Sequence, residues 1–312
     1  MTNQNNPIAS LQQEDVLAGY VASITNDFPM LDIVSVRMNR DGLMNDVVVI
    51  NNEIVFRFAK NEHAQLLLAY EAQILERIGR AVTISVPQIE HRTASYVRYR
   101  FVPGLPLYRH TLLRADPLLY ERFAHELAIF LQQLHGIPIG DVPIPPRQTT
   151  APSDSRRMVY QQRLAELERD VYPLLWADQK AWITDLFAPI LDGLVDLDGF
   201  TPVFIHRDLA SYHILHDPLA GHLSGVIDYG TACVDAAAAD WAGLINTYGE
   251  SFVRQMHNTY PISQATMDRA RFLAGALELE WALGGIQAQD HSLLLVHLGR
   301  ARDSRPILTD WP

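Results

Sequence analysis

Residues 202–230, PVFIHRDLASYHILHDPLAGHLSGVIDYG, carry the residue types and spacing from which a reaction could be built. An apolar run, Val203-Phe204-Ile205, delivers His206-Arg207-Asp208. Leu209 and three further residues lead to His213, and Ile214-Leu215 resume a strand. A turn around Pro218 and Gly221 feeds a second strand that ends in Asp228-Tyr229-Gly230. A hairpin of this kind can set two carboxylates on one rim. In-line transfer of a phosphoryl group asks for that arrangement. One carboxylate faces an acceptor hydroxyl, orienting it and taking its proton; another faces the donor and holds the divalent metal that bridges its phosphates. Asp208 suits the first task, Asp228 the second, and His213 a second metal-side position. A lone Asp on a loop is ordinarily a turn or cap residue, whereas two Asp and a His in strand–loop–strand order rarely arise by chance. A His-x-Asp cluster could also serve a metal-dependent hydrolase, which stands as a rival reading.

The order H-R-D-L-x-x-x-N followed by a D-F-G-like element is the kinase catalytic-loop pattern, with His213 where that pattern has Asn. At this point the chain resembles the aminoglycoside phosphotransferase family. Most of that family has Asn there. A His followed by an apolar pair, here His213-Ile214-Leu215, is similar to the aminoglycoside 2″-phosphotransferases and the macrolide phosphotransferases. INNEIVFRF, YEAQILERI, FVPGLPL, FIHRDL, HIL, GVIDYG and Tyr248-Gly249-Glu250 look like the 2″-type enzymes in order and spacing, so the resemblance covers most of the chain. It implies an α+β, bilobal, protein-kinase-like fold. A small β-rich nucleotide-binding lobe would span residues 1–102, and a larger, mainly helical catalytic and acceptor-binding lobe residues 103–312, with a linker at about 99–106. It further implies ATP or GTP as donor, Mg²⁺ as cofactor and a small, cationic antibiotic as acceptor. The nucleotide would lie between the lobes, its base edge against the backbone of Arg100, Phe101 and Val102.

Upstream, such kinases use a strand Lys, paired with a helix Glu, to bind donor phosphates. The matching positions are Arg57 and Glu71, while Lys60 falls on the opposite face of an alternating strand. Arg57 can grip phosphate bidentately but is bulkier than Lys and not its equivalent. Alone, the pair reads as a surface Arg and an exposed Glu; beside the downstream motif, the phosphate-binding reading is preferred. Arg at this position also resembles macrolide kinases. Arg37–Asp46, around Gly42, would be the loop over the phosphates. It has neither a G-x-G-x-x-G nor a Walker A pattern, so backbone amides, Arg57 and metal would share the grip.

Other candidates weigh less. His206 reads as a buttress of the loop by hydrogen bonds. Asp240, opening the apolar run Trp241–Ile245, reads as a helix N-cap compatible with support of that loop. His206, His213, His216 and His222 crowd one stretch, but alternation puts His216 on the face opposite His213 and His222 in the turn, so a histidine metal site ranks well below the kinase reading. An acceptor rich in ammonium groups needs carboxylates and an aromatic wall. Glu250, Glu278, Glu280 and Trp281 lie in the C-terminal helices where the resembled family builds that site, and Glu250 and Trp281 are carried as substrate-binding candidates.

The elements that must position these groups follow from periodicity. A helix over 11–28 has Leu11, Val16, Leu17 and Tyr20 at helical spacing. Val47–Ile50 and Glu53–Ala59 form a hairpin turned at Asn51-Asn52, because Asn tolerates positive φ. In its second strand Ile54, Phe56 and Phe58 share one face and Val55, Arg57 and Ala59 the other. A helix over 62–78 buries Leu66, Leu67, Tyr70, Ile74 and Ile78, with Gly79 as C-cap. Strands follow near Pro87–Ile89 and Tyr96–Val102, and Pro103-Gly104-Leu105-Pro106 punctuates the chain. Further helices are expected over 117–135, 156–176, 178–195, 238–258 and 266–286, a loop over 138–154, and strands at Val203–Ile205 and Ser224–Ile227.

Composition bounds the rest. The 312 residues, 48% hydrophobic, suffice for a sizeable core, and the net charge of −11 argues against nucleic acid while suiting a cationic ligand or plain solubility. With Cys233 alone, no internal disulfide is possible. The polar N-terminus and the lack of an uncharged apolar run of membrane-spanning length suggest a cytoplasmic protein without membrane association. No pattern sets an oligomeric state. The resulting expectation is a nucleotide-dependent O-phosphotransferase acting on an aminoglycoside. The alternatives are a macrolide or a metabolic amino alcohol or sugar as acceptor, and a kinase-like protein that binds nucleotide without catalysis.

Overall fold

A computed structural model describes residues 7–140, 142, 143, 145, 146, 155–290 and 305–311. The chain is a mixed α/β protein, sheet-rich in its N-terminal region and helical in its C-terminal region. It divides into two compact units, residues 1–76 with 87–101, and residues 77–86 with 102–312.

The first unit holds helix α1 (Pro7–Asp27), strands β1 (Val36–Asn39), β2 (Asn45–Ile50) and β3 (Ile54–Ala59), most of helix α2 (Glu62–Ala81), and strands β4 (Ile89–Arg92) and β5 (Tyr96–Arg100). The strands form one antiparallel sheet in the order β1-β2-β3-β5-β4. Asn51 and Asn52 both take positive φ, 55° and 56°, and the Asn51 side chain also accepts the Val34 and Ser35 amides. The alternation expected of β3 is present, yet both faces are buried, because residues of α1 pack on one and of α2 on the other. Ile54, Phe56 and Phe58 pack with Val48, Ile50 and Ile24 of α1, while Val55 packs with Val97, Tyr99 and Leu68 of α2.

Two expectations for α2 fail. Leu66 is 58% exposed, and Leu68 and Leu75 are buried in its place. In a Leu66-Leu67-Leu68 run only the positions in phase with Ala64, Glu71 and Ile78 face inward. Gly79 is no C-cap, since the helix continues to Ala81 and Gly79 is absent from the positive-φ glycines. The Leu11 side chain and residues 141, 144 and 147–154 of the expected loop lie outside the described residues.

The second unit begins with β6 (Leu105–Pro106), α3 (Arg109–Arg114) and α4 (Pro117–His135), whose N-cap Asp116 accepts the Leu119 amide. There follow α5 (Arg156–Asp170), α6 (Ala177–Leu191), β7 (Val203–Ile205), β8 (Ile214–Asp217), β9 (His222–Val226), β10 (Cys233–Asp235), α7 (Ala238–Tyr248), α8 (Glu250–His257) and α9 (Gln264–Gln287). Two small sheets, β6-β8-β9 and β10-β7, carry the candidate loop. Neither β6 nor β10 was expected from sequence; each is too short to show a period of its own. The expected helix 156–176 ends at Asp170 and gives way to a 3₁₀ turn at Tyr172–Leu174. The helix expected over 238–258 is two helices, because Gly249 takes φ 94°, a value that breaks the helix and suits glycine. Leu167 of α5, Phe187 of α6 and Phe272 and Leu279 of α9 form one hydrophobic core of the helices. Among the described residues no helix is long and apolar enough to cross a membrane.

Candidate active site

β7 runs into the loop His206–Tyr212, β8 and β9 return as a hairpin, and Asp228 follows β9. Two non-glycine residues of this segment hold positive φ, Arg207 at 69° and Asp228 at 67°. Such conformations cost roughly 1–2 kcal/mol each and persist where surrounding bonds over-determine them.

His213 lies between the two carboxylates. Its Nδ1 is 2.9 Å from the Asp208 carbonyl oxygen and 3.6 Å from Asp208 Oδ2, and its Nε2 is 3.3 Å from Asp228 Oδ2. The imidazole is buried, while the carboxylate side chains remain 44% and 42% exposed. Burial pulls the His213 pKa down, but the bond to Asp228 and the charges of both carboxylates outweigh it and raise it. Burial lifts the Asp208 carboxyl; His213 opposes that shift and Asp228 adds to it. Asp208 is therefore the more basic for its position, as a proton acceptor needs to be.

Among the described residues no group of three or more His, Cys, Asp or Glu side chains is gathered as around a metal ion, and the pair that could share one is His213 Nε2 and Asp228 Oδ2, 3.3 Å apart. Two cis ligands at magnesium distances of about 2.1 Å lie about 3 Å apart, close to the separation of His213 Nε2 and Asp228 Oδ2. Magnesium is ordinarily held by one or two protein groups together with substrate phosphates. The remaining histidines are engaged elsewhere. His216 packs edge-on against Phe123, and His222 Nδ1 lies 2.9 Å from the Leu223 carbonyl.

The loop's own conformation is fixed from behind. His206, fully buried, accepts the Asp208 amide at Nδ1 (3.2 Å), and its Nε2 lies 3.2 Å from the Ile227 carbonyl, a pattern that selects the neutral tautomer with the proton on Nε2. Burial pushes its pKa down to about 4. Asp240, also fully buried, accepts the Arg207 amide at 2.7 Å and the His206 amide at 3.0 Å. Asp240 is thus no N-cap: it sits inside the first turn of α7, whose N-cap is Ala237. Its third partner is His135 Nε2 at 3.1 Å, and His135 Nδ1 lies 3.1 Å from the Tyr260 hydroxyl. Sequence reading missed His135 and Tyr260. Nothing local pairs a helix-terminal His with an Asp more than a hundred residues away.

In the sheet-rich unit, Arg57 and Glu71 are a buried ion pair rather than surface residues. Arg57 Nη1 donates to Glu71 Oε1 at 2.7 Å and to Oε2 at 2.9 Å. Of the linker candidates, Phe101 already gives its N–H to Glu53 O, and Arg100 turns its side chain to Glu90, whereas the Val102 N–H has no partner among the described residues.

Glu250, carried as an acceptor-binding candidate, is placed inside the fold. It is 1% exposed, and Arg271 donates to both its oxygens, at 2.8 and 3.1 Å. The Arg305 amide adds a bond at 2.8 Å, and these partners hold the carboxyl well below the usual glutamate range against the opposing effect of burial. Its charge is neutralised inside the fold. The same network latches residues 305–311: Arg271 donates to Thr309 O, and Leu308 N–H to Asp268. Trp281 is 43% exposed on α9; Glu280 is also exposed there, and Glu278 is buried.

The model of the phosphotransferase enzyme family matches residues 35–273. Among solved structures, the chain is similar to the GDP complex of wild-type aminoglycoside 2′-phosphotransferase-IIIa, at 24% identity over 90% of this chain and 95% of that one, with TM-score 0.77. It is also similar to the gentamicin complex of APH(2″)-IIa, at 18% identity, 91% and 96% coverage and TM-score 0.69. The apoenzyme of macrolide 2′-phosphotransferase MphH from Brachybacterium faecium matches at 16% identity, 92% and 99% coverage and TM-score 0.66. At these identities the likenesses establish the kinase-like fold. No curated protein sequence matches the chain. Matched by the family model over most of its length, the chain belongs to the phosphotransferase enzyme family and is a small-molecule kinase.

Proposed function

We propose that the protein transfers the γ-phosphate of ATP or GTP to a hydroxyl of an amine-bearing small molecule, with an aminoglycoside antibiotic as the first candidate. The observation that carries this reading is the pair of partly exposed carboxylates, Asp208 and Asp228, flanking the buried His213. Asp208 orients the acceptor hydroxyl and receives its proton, and its raised pKa suits that task. Asp228 and His213 hold Mg²⁺, which, when bound, neutralises charge on the donor phosphates. Arg57, fixed by Glu71, engages the donor phosphates, and the Val102 amide is the backbone group left for the base edge. Trp281 offers an exposed aromatic surface to the acceptor. The charge of −11 suits a cationic acceptor.

A macrolide or another amino sugar is the second reading, favoured by Arg57 in place of the usual Lys. Phosphate transfer by the purified protein, with Mg²⁺ and either nucleotide, tests both readings. The panel spans aminoglycosides, macrolides and small amino alcohols, with Asp208→Asn as control. Turnover on an aminoglycoside that the variant loses supports the first reading, and turnover confined to macrolides supports the second. Nucleotide binding without transfer to any member of the panel refutes both acceptor readings and leaves an acceptor outside the panel or a kinase-like protein that binds nucleotide without catalysis.

A further inference from the structure

Lys60 plays no part in the site described above, yet its ammonium is closely surrounded. It follows β3, and its Nζ donates to the carbonyls of Arg40 (2.8 Å) and Gly42 (2.5 Å) and lies 3.2 Å from Asp46 Oδ1. Its backbone N–H donates to Met44 O at 2.9 Å. All these contacts fall on the turn between β1 and β2 or on the second residue of β2. Asp46 is 1% exposed and is itself held, since the Tyr20 hydroxyl donates to its Oδ2 at 2.9 Å and Arg40 Nε lies 3.4 Å from the same oxygen. The turn is tight: a Cβ at Gly42 would stand 2.9 Å from the Asn45 carbonyl oxygen, so only glycine fits.

The carbonyl directions have a consequence. In a trans peptide, C=O of one residue and N–H of the next point in opposite directions. With the Arg40 and Gly42 carbonyls drawn to Lys60, the Asp41 and Leu43 amides face away from it. Asp41 N–H is taken by Asn39 Oδ1 at 2.8 Å. Leu43 N–H has no partner among the described residues. The Leu43 amide is thus the one outward-facing N–H of this glycine-dependent turn left to meet an anion's oxygen.

We propose that Lys60 is a positioning residue for the phosphoryl donor: it clamps the Arg40–Met44 turn by its carbonyls so that the Leu43 amide faces the nucleotide's phosphates. The inference rests on the proposed function, which makes this turn the loop over the phosphates. It divides the cationic labour of the unit. Arg57 meets phosphate directly, while Lys60 shapes the backbone that does so.

The test compares wild type, Lys60→Met, the conservative Lys60→Arg, and Asp46→Asn, which loosens the anchor of the clamp. Affinity for Mg·ATP and Mg·GTP is read by calorimetry, KM is read separately for nucleotide and acceptor, and amide exchange is followed at residues 41–44. The expected result for Lys60→Met is nucleotide affinity about tenfold weaker, acceptor KM within about twofold, and faster exchange at 41–44, with Lys60→Arg restoring most of the affinity. A purely structural lysine would lower the melting temperature without splitting the two KM values. Nucleotide affinity unchanged in Lys60→Met overturns the proposal, as does unchanged exchange at 41–44. A wild type that binds neither nucleotide refutes the proposed function and the phosphate role together, while the exchange data still decide independently whether the clamp exists.

Discussion

Asp240→Asn should leave the protein folded but cripple it. The carboxylate accepts three hydrogen bonds, from the Arg207 amide at 2.7 Å, the His206 amide at 3.0 Å and His135 Nε2 at 3.1 Å. Asn has nearly the same shape but only one acceptor oxygen, and its NH₂ must face at least one of these donors. At least one charge-assisted bond is lost and one buried donor is left unpaired, at a cost of about 3 kcal/mol. For a chain of this length that corresponds to a melting temperature lower by about 5 °C. The kinetic effect is larger, because the two amides belong to the residues immediately before Asp208, and both hold the strained Arg207 conformation. Releasing one lets the loop move by a fraction of an ångström to an ångström. Misplacement on that scale costs about a hundredfold in kcat, with nucleotide KM changed by less than about threefold. Steady-state kinetics on whichever acceptor turns over, paired with thermal unfolding, reads both numbers. A variant with kcat within about threefold of wild type and an unshifted melting curve would refute the account of Asp240 as the brace of the loop.

Three further outcomes are expected of other buried groups. The His206 pKa is depressed from 6.5 to about 4, so its contribution to stability is complete above pH 6.5 and is lost as pH falls toward 4. Unfolding free energies from urea titrations at pH 7 and pH 5 should differ by about 2 kcal/mol from this group, and His206→Gln should remove that share of the difference. Arg271→Ala, which strands the buried Glu250, should destabilise by about 3–5 kcal/mol in denaturant titration while leaving acceptor KM unchanged. A raised acceptor KM there would return Glu250 to the binding site. Gly225→Ala places a methyl against Val102 and 3.0 Å from the Ser85 carbonyl, and chemical denaturation should register a loss of about 1–3 kcal/mol.

What could be read from the sequence was whatever repeats locally. The Phe56/Phe58 and Val55/Arg57 alternation placed two faces correctly because β3 pairs on both sides without a bulge. Asn51-Asn52 announced the hairpin, since the need for positive φ at both positions is a property of the residues themselves. The loop from His206 to His213 was legible because its groups fall within eight residues. Partners brought in by tertiary packing were not. Asp240 carries one signal, an Asp at a helix start, and that signal fits a cap as well as a brace. Glu250 looks like a solvated helix carboxylate until Arg271 and the 305–311 segment close over it. Leu66 failed for a similar reason: three successive leucines give no phase, and only the neighbours of α2 decide which face is inward.

The latch of residues 305–311 onto Glu250, Asp268 and Arg271 bears on how the chain comes off the ribosome. Synthesis runs from the N-terminus, and the sheet-rich unit has all its residues by position 101. The helices α8 and α9 come later, but Arg271 lacks the Thr309 carbonyl, and Asp268 the Leu308 amide, until residues 305–311 have been made. During that interval the buried side chains Arg271, Glu250 and Asp268 have incomplete bonding. The nascent helical unit should accordingly stay open to chaperones and proteases until that segment is in place. A fusion that holds residues 305–311 away from α9 would prolong that exposure without altering a single catalytic group.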